Sequence, residues 1–268
     1  MGVITLLTDF GHRDSYVGVM KGVIASISPL SQVVDLTHGI QPQAILAARF
    51  NLLTSYEYFP AGTVHVVVVD PGVGTRRHAI AAEVISPTGL QIIVAPDNGL
   101  LTGFSIVAAV GLTNPGYWRT PQPRHTFHGR DIFAPVAAHL ANGVKLSELG
   151  SSLSVKSLVR LTIEDAIATD QGYHGSIHYC DQFGNLVTNI PGHQLDHRPW
   201  QIQLGGRSIP CYTTYGDARP GEVLALIGSH GYVEIAVNGG NAAKKLNVQV
   251  GERVVLIYAR RGLGREGL

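Results

Sequence analysis

The sequence predicts a two-domain α/β protein. Residues 1–162 read as a mostly parallel sheet flanked by helices, 163–171 as a linker, and 172–268 as an all-β domain, a small barrel or sandwich. Three observations carry this. Strand and helix patterns alternate through the first seventy residues, the signature of a doubly wound sheet. Val64 to Val69 is a near-continuous run of β-branched residues without polar alternation, as expected of a strand buried on both faces. Near Thr162 to Gly172 helical periodicity gives way to short strands separated by Pro, Gly, Asn and Asp clusters.

In chain order, Val3 to Leu7 is a first buried strand, delivering Thr8-Asp9-Phe10-Gly11 at its C-terminal end. Tyr16 to Ser28 places Val17, Met20, Ile24 and Ile27 at helical spacing before Pro29. Gln32 to Leu36 is a second strand and Gln41 to Tyr58 a helix with Ala44, Ala47, Ala48 and Leu52 facing in. The Val64 to Val69 strand ends on Asp70-Pro71-Gly72-Val73-Gly74, followed by Arg76 and Arg77. His78 to Ile85 and Leu90 to Ala95 form a pair joined by the turn Ser86 to Gly89, and Asp131 to Ala141 is a helix stopped at Asn142-Gly143. Downstream strands are Gly175 to Tyr179, Asn185 to Ile190, Trp200 to Leu204, Val223 to Ile227, Tyr232 to Val237 and Arg253 to Tyr258. The Gly- and Arg-rich Arg260 to Leu268 is expected to fray.

Composition bounds function. With 45% hydrophobic and 15% charged residues and a formal net charge of +1, there is no electrostatic case for nucleic acid or an anionic membrane. The thin charge hints at surface buried between subunits. No apolar run approaches the ~20 residues of a membrane span. Cys180 and Cys211 form neither a framework nor a CxxC motif and read as buried thiols of a reducing cytoplasm. Met1-Gly2-Val3 runs straight into a strand without a signal-peptide pattern, so a cytoplasmic location is expected.

Several apparent motifs dissolve on inspection. Asp9-Phe10-Gly11 and His12-Arg13-Asp14 run together, in the wrong order and place for a kinase. Gly72-Val73-Gly74 lacks the spacing and lysine of a phosphate loop. The twelve histidines include no HExxH pair, so no metal site is expected. Ser229-His230 sits in no nucleophile elbow. What remains is a set of polar residues in strand-end loops, Asp9, Asp70, Arg77, Asp97 and His128, where open α/β sheets bind ligands.

Five motifs, in order, resemble one family: Thr8-Asp9-Phe10-Gly11 with Asp14, Asp70 to Gly74, Ala95 to Leu101, Thr126-Phe127-His128-Gly129-Arg130-Asp131, and Phe183-Gly184-Asn185 with Thr188-Asn189. The chain resembles the S-adenosyl-L-methionine (SAM) hydrolases, or SAM hydroxide adenosyltransferases, relatives of the SAM-dependent fluorinase and chlorinase. The resemblance implies a Rossmann-like N-terminal domain, a β-barrel C-terminal domain, and a homotrimer binding SAM between the N-domain of one subunit and the C-domain of the next. It implies water as nucleophile, adenosine and methionine as products, and no cofactor. Asp70, Arg77 and His128 match the family's catalytic set, with the base undecided between Asp70 and His128. Asp9 matches the ribose contact, Asp14 and Ser229 the methionine end, and Phe183, Asn185 and Tyr215 the adenine site; Tyr16, Phe127, Asp181 and Gly239 complete the expected substrate contacts. Halogenases carry Tyr at the place of Asp70, Arg at that of His230 and Trp at that of Gln43. A chlorinase and a non-catalytic SAM or adenosine sensor are the alternatives.

Overall fold

The computed structural model describes residues 2–259, so the expected fraying of 260–268 lies outside the described residues. The chain divides into two compact units, Met1–Thr162 and Ile163–Leu268. The first unit runs β1 (Val3–Thr8), α1 (Tyr16–Ile27), β2 (Gln32–Thr37), α2 (Ile45–Leu53), β3 (Val64–Val68), β4 (Ala79–Ser86), β5 (Gly89–Pro96), β6 (Ile106–Gly111), α3 (Ala134–Ala141) and β7 (Ser152–Leu153). Its sheet has the order β2-β1-β3-β5-β4-β6-β7. The strands β2, β1, β3 and β5 are parallel neighbours, whereas β4, β6 and β7 extend the sheet with antiparallel pairings.

Every residue of β3 is buried, because the sheet is covered on both faces. Side chains alternate across the pleat. Leu6, Val64, Val66 and Val68 pack with Met20 and Ile24 of α1 and Phe133, Val136 and Ala137 around α3. Leu7, Val67 and Val69 face Ala48 and Leu52 of α2 instead.

Three expectations need correction. The helix read over Gln41 to Tyr58 is only Ile45–Leu53, with a separate 3₁₀ turn at Tyr56–Tyr58. Gln43 takes φ +67°, left-handed backbone that no helix continues through. The helix read over Asp131 to Ala141 begins as a π-helical turn, Gly129–Phe133, and becomes regular only at Ala134. Strand β6 escapes the sequence pattern because Ile106 to Gly111 is short, Ala-rich and without alternation.

The second unit comprises β8 (Ile167–Thr169), β9 (Gly172–Cys180), β10 (Leu186–Pro191), β11 (Trp200–Leu204), β12 (Arg207–Pro210), β13 (Val223–Ile227), β14 (Tyr232–Val237), α4 (Ala242–Leu246) and β15 (Arg253–Tyr258). The stretch read as a linker thus carries β8, paired with β9. The sheet order β12-β11-β15-β9-β10-β14-β13 nearly closes on itself. Cys211, just past β12, bridges Ala225 of β13, where the Tyr212 N–H donates to the Ala225 carbonyl at 2.8 Å. Closure removes exposed edges and encloses the core of Ile177, Leu186, Ile202, Val233, Ile235 and Leu256. Both cysteines are free and only half-buried, not core thiols, because each lies at a strand end; burial still pushes both thiols up.

His65, in the middle of β3, is fully buried. Gln91 spends its amide N–H groups on backbone carbonyls, including Phe59 at 2.7 Å, so its oxygen faces His65 Nε2 at 3.2 Å. His65 therefore carries its proton on Nε2 and accepts from the Thr5 hydroxyl at Nδ1, 2.7 Å away. Burial lowers its pKa to about 4, against 6.5 for an exposed histidine. The unfolded chain takes up a proton that the folded chain refuses, so stability is unaffected above pH 6.5 and lost between pH 6.5 and 4. At 1.36 kcal/mol per pKa unit the loss reaches about 3 kcal/mol. Urea unfolding at pH 7 and pH 4.5 is expected to show this loss in wild type and a shallower one in His65→Gln; equal slopes would contradict it.

Candidate functional site

The C-terminal ends of β1 and β3 open into a cavity of about 400 Å³, lined by Asp9, Phe10, Tyr16, Pro42, Gln43, Val68, Asp70, Pro71, Val73 and Thr126 to Gly129. Each wall has a local cause. Beyond β1 the chain turns through Gly11, whose N–H donates to the His38 carbonyl at 2.8 Å, while the Thr8 hydroxyl meets His38 Nδ1 at 2.8 Å. Asp9 is thus hung from the loop after β2, and its Oδ2 accepts from the Gln43 backbone N–H at 2.8 Å. Phe10, Tyr16 and Phe127 form an aromatic wall with ring centroids 5.2 to 5.8 Å apart.

Asp70 lies two residues past the end of β3, after Val69. The chain then folds back through two turns, Val73 N–H to the Asp70 carbonyl (3.2 Å) and Thr75 N–H to the Gly72 carbonyl (3.1 Å), which return Arg77 to Asp70. Gly74, at φ +76°, lies so close to the His125 carbonyl that a Cβ would collide with it, and this contact seats the loop against the segment carrying His128. Arg77 donates from Nε to Asp70 Oδ1 at 3.0 Å and from a terminal nitrogen to Oδ2. That terminal nitrogen also meets His128 Nδ1 at 2.9 Å. Arg77 lies over the Phe133 ring, 5.4 Å from its centroid. Arg76 points to solvent.

A guanidinium only donates, so His128 Nδ1 accepts and its proton sits on Nε2. Burial, then the positive charge of Arg77, lowers the His128 pKa below the usual histidine value, against a smaller opposing pull from Asp70. His128 is a neutral Nε2–H tautomer at neutral pH.

Asp131, quoted within a sequence motif but given no role there, holds this segment in place. It is fully buried and accepts from Arg119 Nε (2.6 Å), from Arg130 (2.7 and 2.8 Å) and from the Arg124 N–H (2.9 Å). Burial resists its ionisation, yet those hydrogen bonds outweigh burial and hold its pKa far below the usual carboxylate range. Arg130 in turn covers the Phe127 ring at 5.2 Å. A carboxylate directly after an arginine in Gly129-Arg130-Asp131 is the signal the sequence offers.

The remaining expected residues divide three ways. Tyr16 and Phe127 line the cavity, but Asp14 is exposed outside its lining. Asp97 does not face it either; its carboxylate is buried, accepts the Val159 N–H at 2.9 Å, and is raised in pKa by burial. In the second unit, Phe183, Asn185, Tyr215 and Gly239 line a separate cavity of about 520 Å³ with Val237 and Gly240. Asp181 builds that wall from behind, accepting from the N–H groups of Phe183 (2.9 Å) and Asn185 (2.8 Å) and from the Asn185 amide (2.9 Å). Ser229 is exposed in the turn after β13 and outside that lining. Among the described residues, no group of three or more His, Cys, Asp or Glu side chains is placed to hold a metal, and no helix is long and apolar enough to cross a membrane.

Removing the Asp131 charge leaves the arginines and the Arg124 N–H facing an uncharged amide. Asp131→Asn is expected to lower the unfolding free energy by about 3 kcal/mol, as for a broken buried ion pair. Chemical denaturation checks this, and a change below about 0.5 kcal/mol would remove Asp131 as the anchor of the His128 segment.

Comparison with known proteins identifies the family. Family models for the SAM hydroxide adenosyltransferase N-terminal and C-terminal domains match residues 4–150 and 175–255. The chain is 39% identical to the (R)-S-adenosyl-L-methionine hydrolase of Salinispora tropica, over 94% of this chain and 96% of that one. It is 37% identical to the enzyme of that name from Thermus thermophilus, over 96% and 100%. A fluorinase from Nocardia brasiliensis is more distant, at 27% over 93% and 94%. Among solved structures, an uncharacterised conserved protein from Thermotoga maritima superposes with a TM-score of 0.87 at 36% identity, over 95% of this chain and 99% of that one. With both domain models matched in order and a 39% identical relative covering 94% of the chain, the chain belongs to the SAM hydroxide adenosyltransferase family.

Proposed function

We propose that the protein hydrolyses S-adenosyl-L-methionine to adenosine and methionine by attack of water at C5′, with the (R) sulfonium epimer as substrate. The observation that carries the reading is the Asp70–Arg77–His128 cluster at the mouth of β3. The (R)-S-adenosyl-L-methionine hydrolase names of the 39% and 37% identical relatives support it, including the stereochemistry.

The chemistry suits these residues. A sulfonium departs as a neutral thioether, so no general acid is needed for the leaving group, nor any metal or redox group. The barrier lies in holding a partly desolvated water in line with C5′ and sulfur. His128 cannot take a proton at Nδ1 while Arg77 donates there, and its Nε2 already carries one. In this mechanism His128 donates Nε2–H to a lone pair of the attacking water, and Asp70 accepts the proton. Attacking water becomes strongly acidic as its bond to carbon forms, so a carboxylate held by arginine is base enough. Arg77 fixes both carboxylate oxygens and the histidine tautomer together. Asp9 suits the ribose hydroxyls, and Phe183, Asn185 and Tyr215 suit a purine. Assembly as a homotrimer belongs to the same proposal and is measurable by light scattering.

Incubation with each sulfonium epimer in oxygen-18 water is expected to give adenosine labelled at the 5′-hydroxyl, with the (R) epimer consumed faster. A 5′-chloro product in chloride buffer would point to a halogenase, and bound but unchanged substrate to a sensor. Asp70→Asn is expected to lose at least ~10² in kcat, and His128→Asn less; the reverse order would exchange their roles. The acid limb of the kcat profile is expected below pH 6.5, since His128 must stay neutral and its pKa is lowered. A midpoint above 6.5 would contradict the tautomer.

A further inference from the structure

Glu234 is a buried carboxylate that the hydrolytic chemistry does not use. It lies in the middle of β14 and is 3% exposed. Its strand neighbours Val233 and Ile235 point into the barrel core, so Glu234 points the other way, to the face where Leu224, Leu226 and Ala236 pack beneath Ala218 and Tyr212. An aliphatic side chain would suit that face, and a buried carboxylate there is costly unless its partners are placed for it.

Two partners are. The Tyr215 hydroxyl donates to Oε1 at 2.7 Å, and His230 Nε2 lies 3.1 Å from Oε2. The Tyr232 backbone N–H donates to His230 Nδ1 at 3.2 Å, which puts the histidine proton on Nε2, directed at the carboxylate. Burial, then the bond to Glu234, pushes the Tyr215 phenol well above its ordinary pKa, so the hydroxyl keeps its proton and stays a donor. The Tyr215 ring meanwhile lines the cavity with Phe183 and Asn185 and is 44% exposed.

We infer that Glu234 is a positioning residue that fixes the Tyr215 ring as one wall of the nucleobase cavity and locks it to the turn carrying Ser229 and His230. This rests on the function proposed above. Both oxygens receive a donor, one from each segment, so moving either segment strands a buried oxygen. A leucine serves neither partner, whereas a glutamine still takes the His230 N–H on its oxygen and gives its own amide N–H to the Tyr215 hydroxyl.

The test is calorimetric binding of adenosine together with steady-state kinetics for Tyr215→Phe, Glu234→Leu and the double variant. Each single change is expected to raise the adenosine Kd and KM about tenfold while kcat stays within about threefold, as for one lost buried hydrogen bond. In the double variant the Tyr215–Glu234 bond is already gone, so the loss matches Glu234→Leu rather than multiplying. Unchanged adenosine affinity in both single variants, or losses that multiply in the double, would overturn the proposal. Should Glu234→Leu not fold, the affinity of Tyr215→Phe decides. Wild-type protein that binds adenosine without turning over substrate would sink the hydrolase reading and leave this one standing; wild-type protein that turns over substrate with a KM unmoved by either single change would overturn this one alone.

Discussion

One cation organises the chemistry of the first unit. The Arg77 guanidinium meets both oxygens of Asp70 and the Nδ1 of His128, and because it can only donate, it decides where every nearby proton lies. Burial and the Arg77 charge keep the histidine neutral. The hydrogen-bonding directions of acid and histidine are settled by a planar, permanently charged fork. The turns of the 70–77 loop, the close approach at Gly74 and the aromatic ring of Phe133 under Arg77 all serve to place that fork.

The fork is only as rigid as the strand behind it. The five residues of β3 are buried on both faces, and each fully buried aliphatic side chain stabilises by about 1.5–3 kcal/mol. Asp70 begins where that burial stops, so its backbone inherits the order of the sheet while its carboxylate reaches polar partners. Asn98 adds a tie from the next strand end, donating to the Val69 carbonyl at 2.9 Å.

Much of this is legible in the amino-acid sequence. A Val run ending on Asp-Pro-Gly announces a buried strand and a strand-end loop, since burial on both faces leaves no room for polar alternation. The two turns after Asp70 explain why Arg77 rather than Arg76 is the partner: only the second arginine is carried back to the carboxylate. Asp131 and Glu234 stay hidden for the opposite reason. A buried acid looks like a surface acid in sequence, because what distinguishes it is the set of donors brought from elsewhere in the chain. Gln43 reads as helical since periodicity is blind to a single left-handed residue, and Asp97 reads as a site residue although its loop turns inward to hold Val159.

The π-helical turn at Gly129–Phe133 has a consequence for how such a site is varied. A π turn is one residue longer than the α turn it replaces, and each residue of an α-helix advances about 100° around the axis. Deleting one residue there would restore a regular helical turn while swinging His128 about a quarter-turn off its line to Arg77. The extra residue between Gly129 and Phe133 therefore sets the direction in which His128 faces.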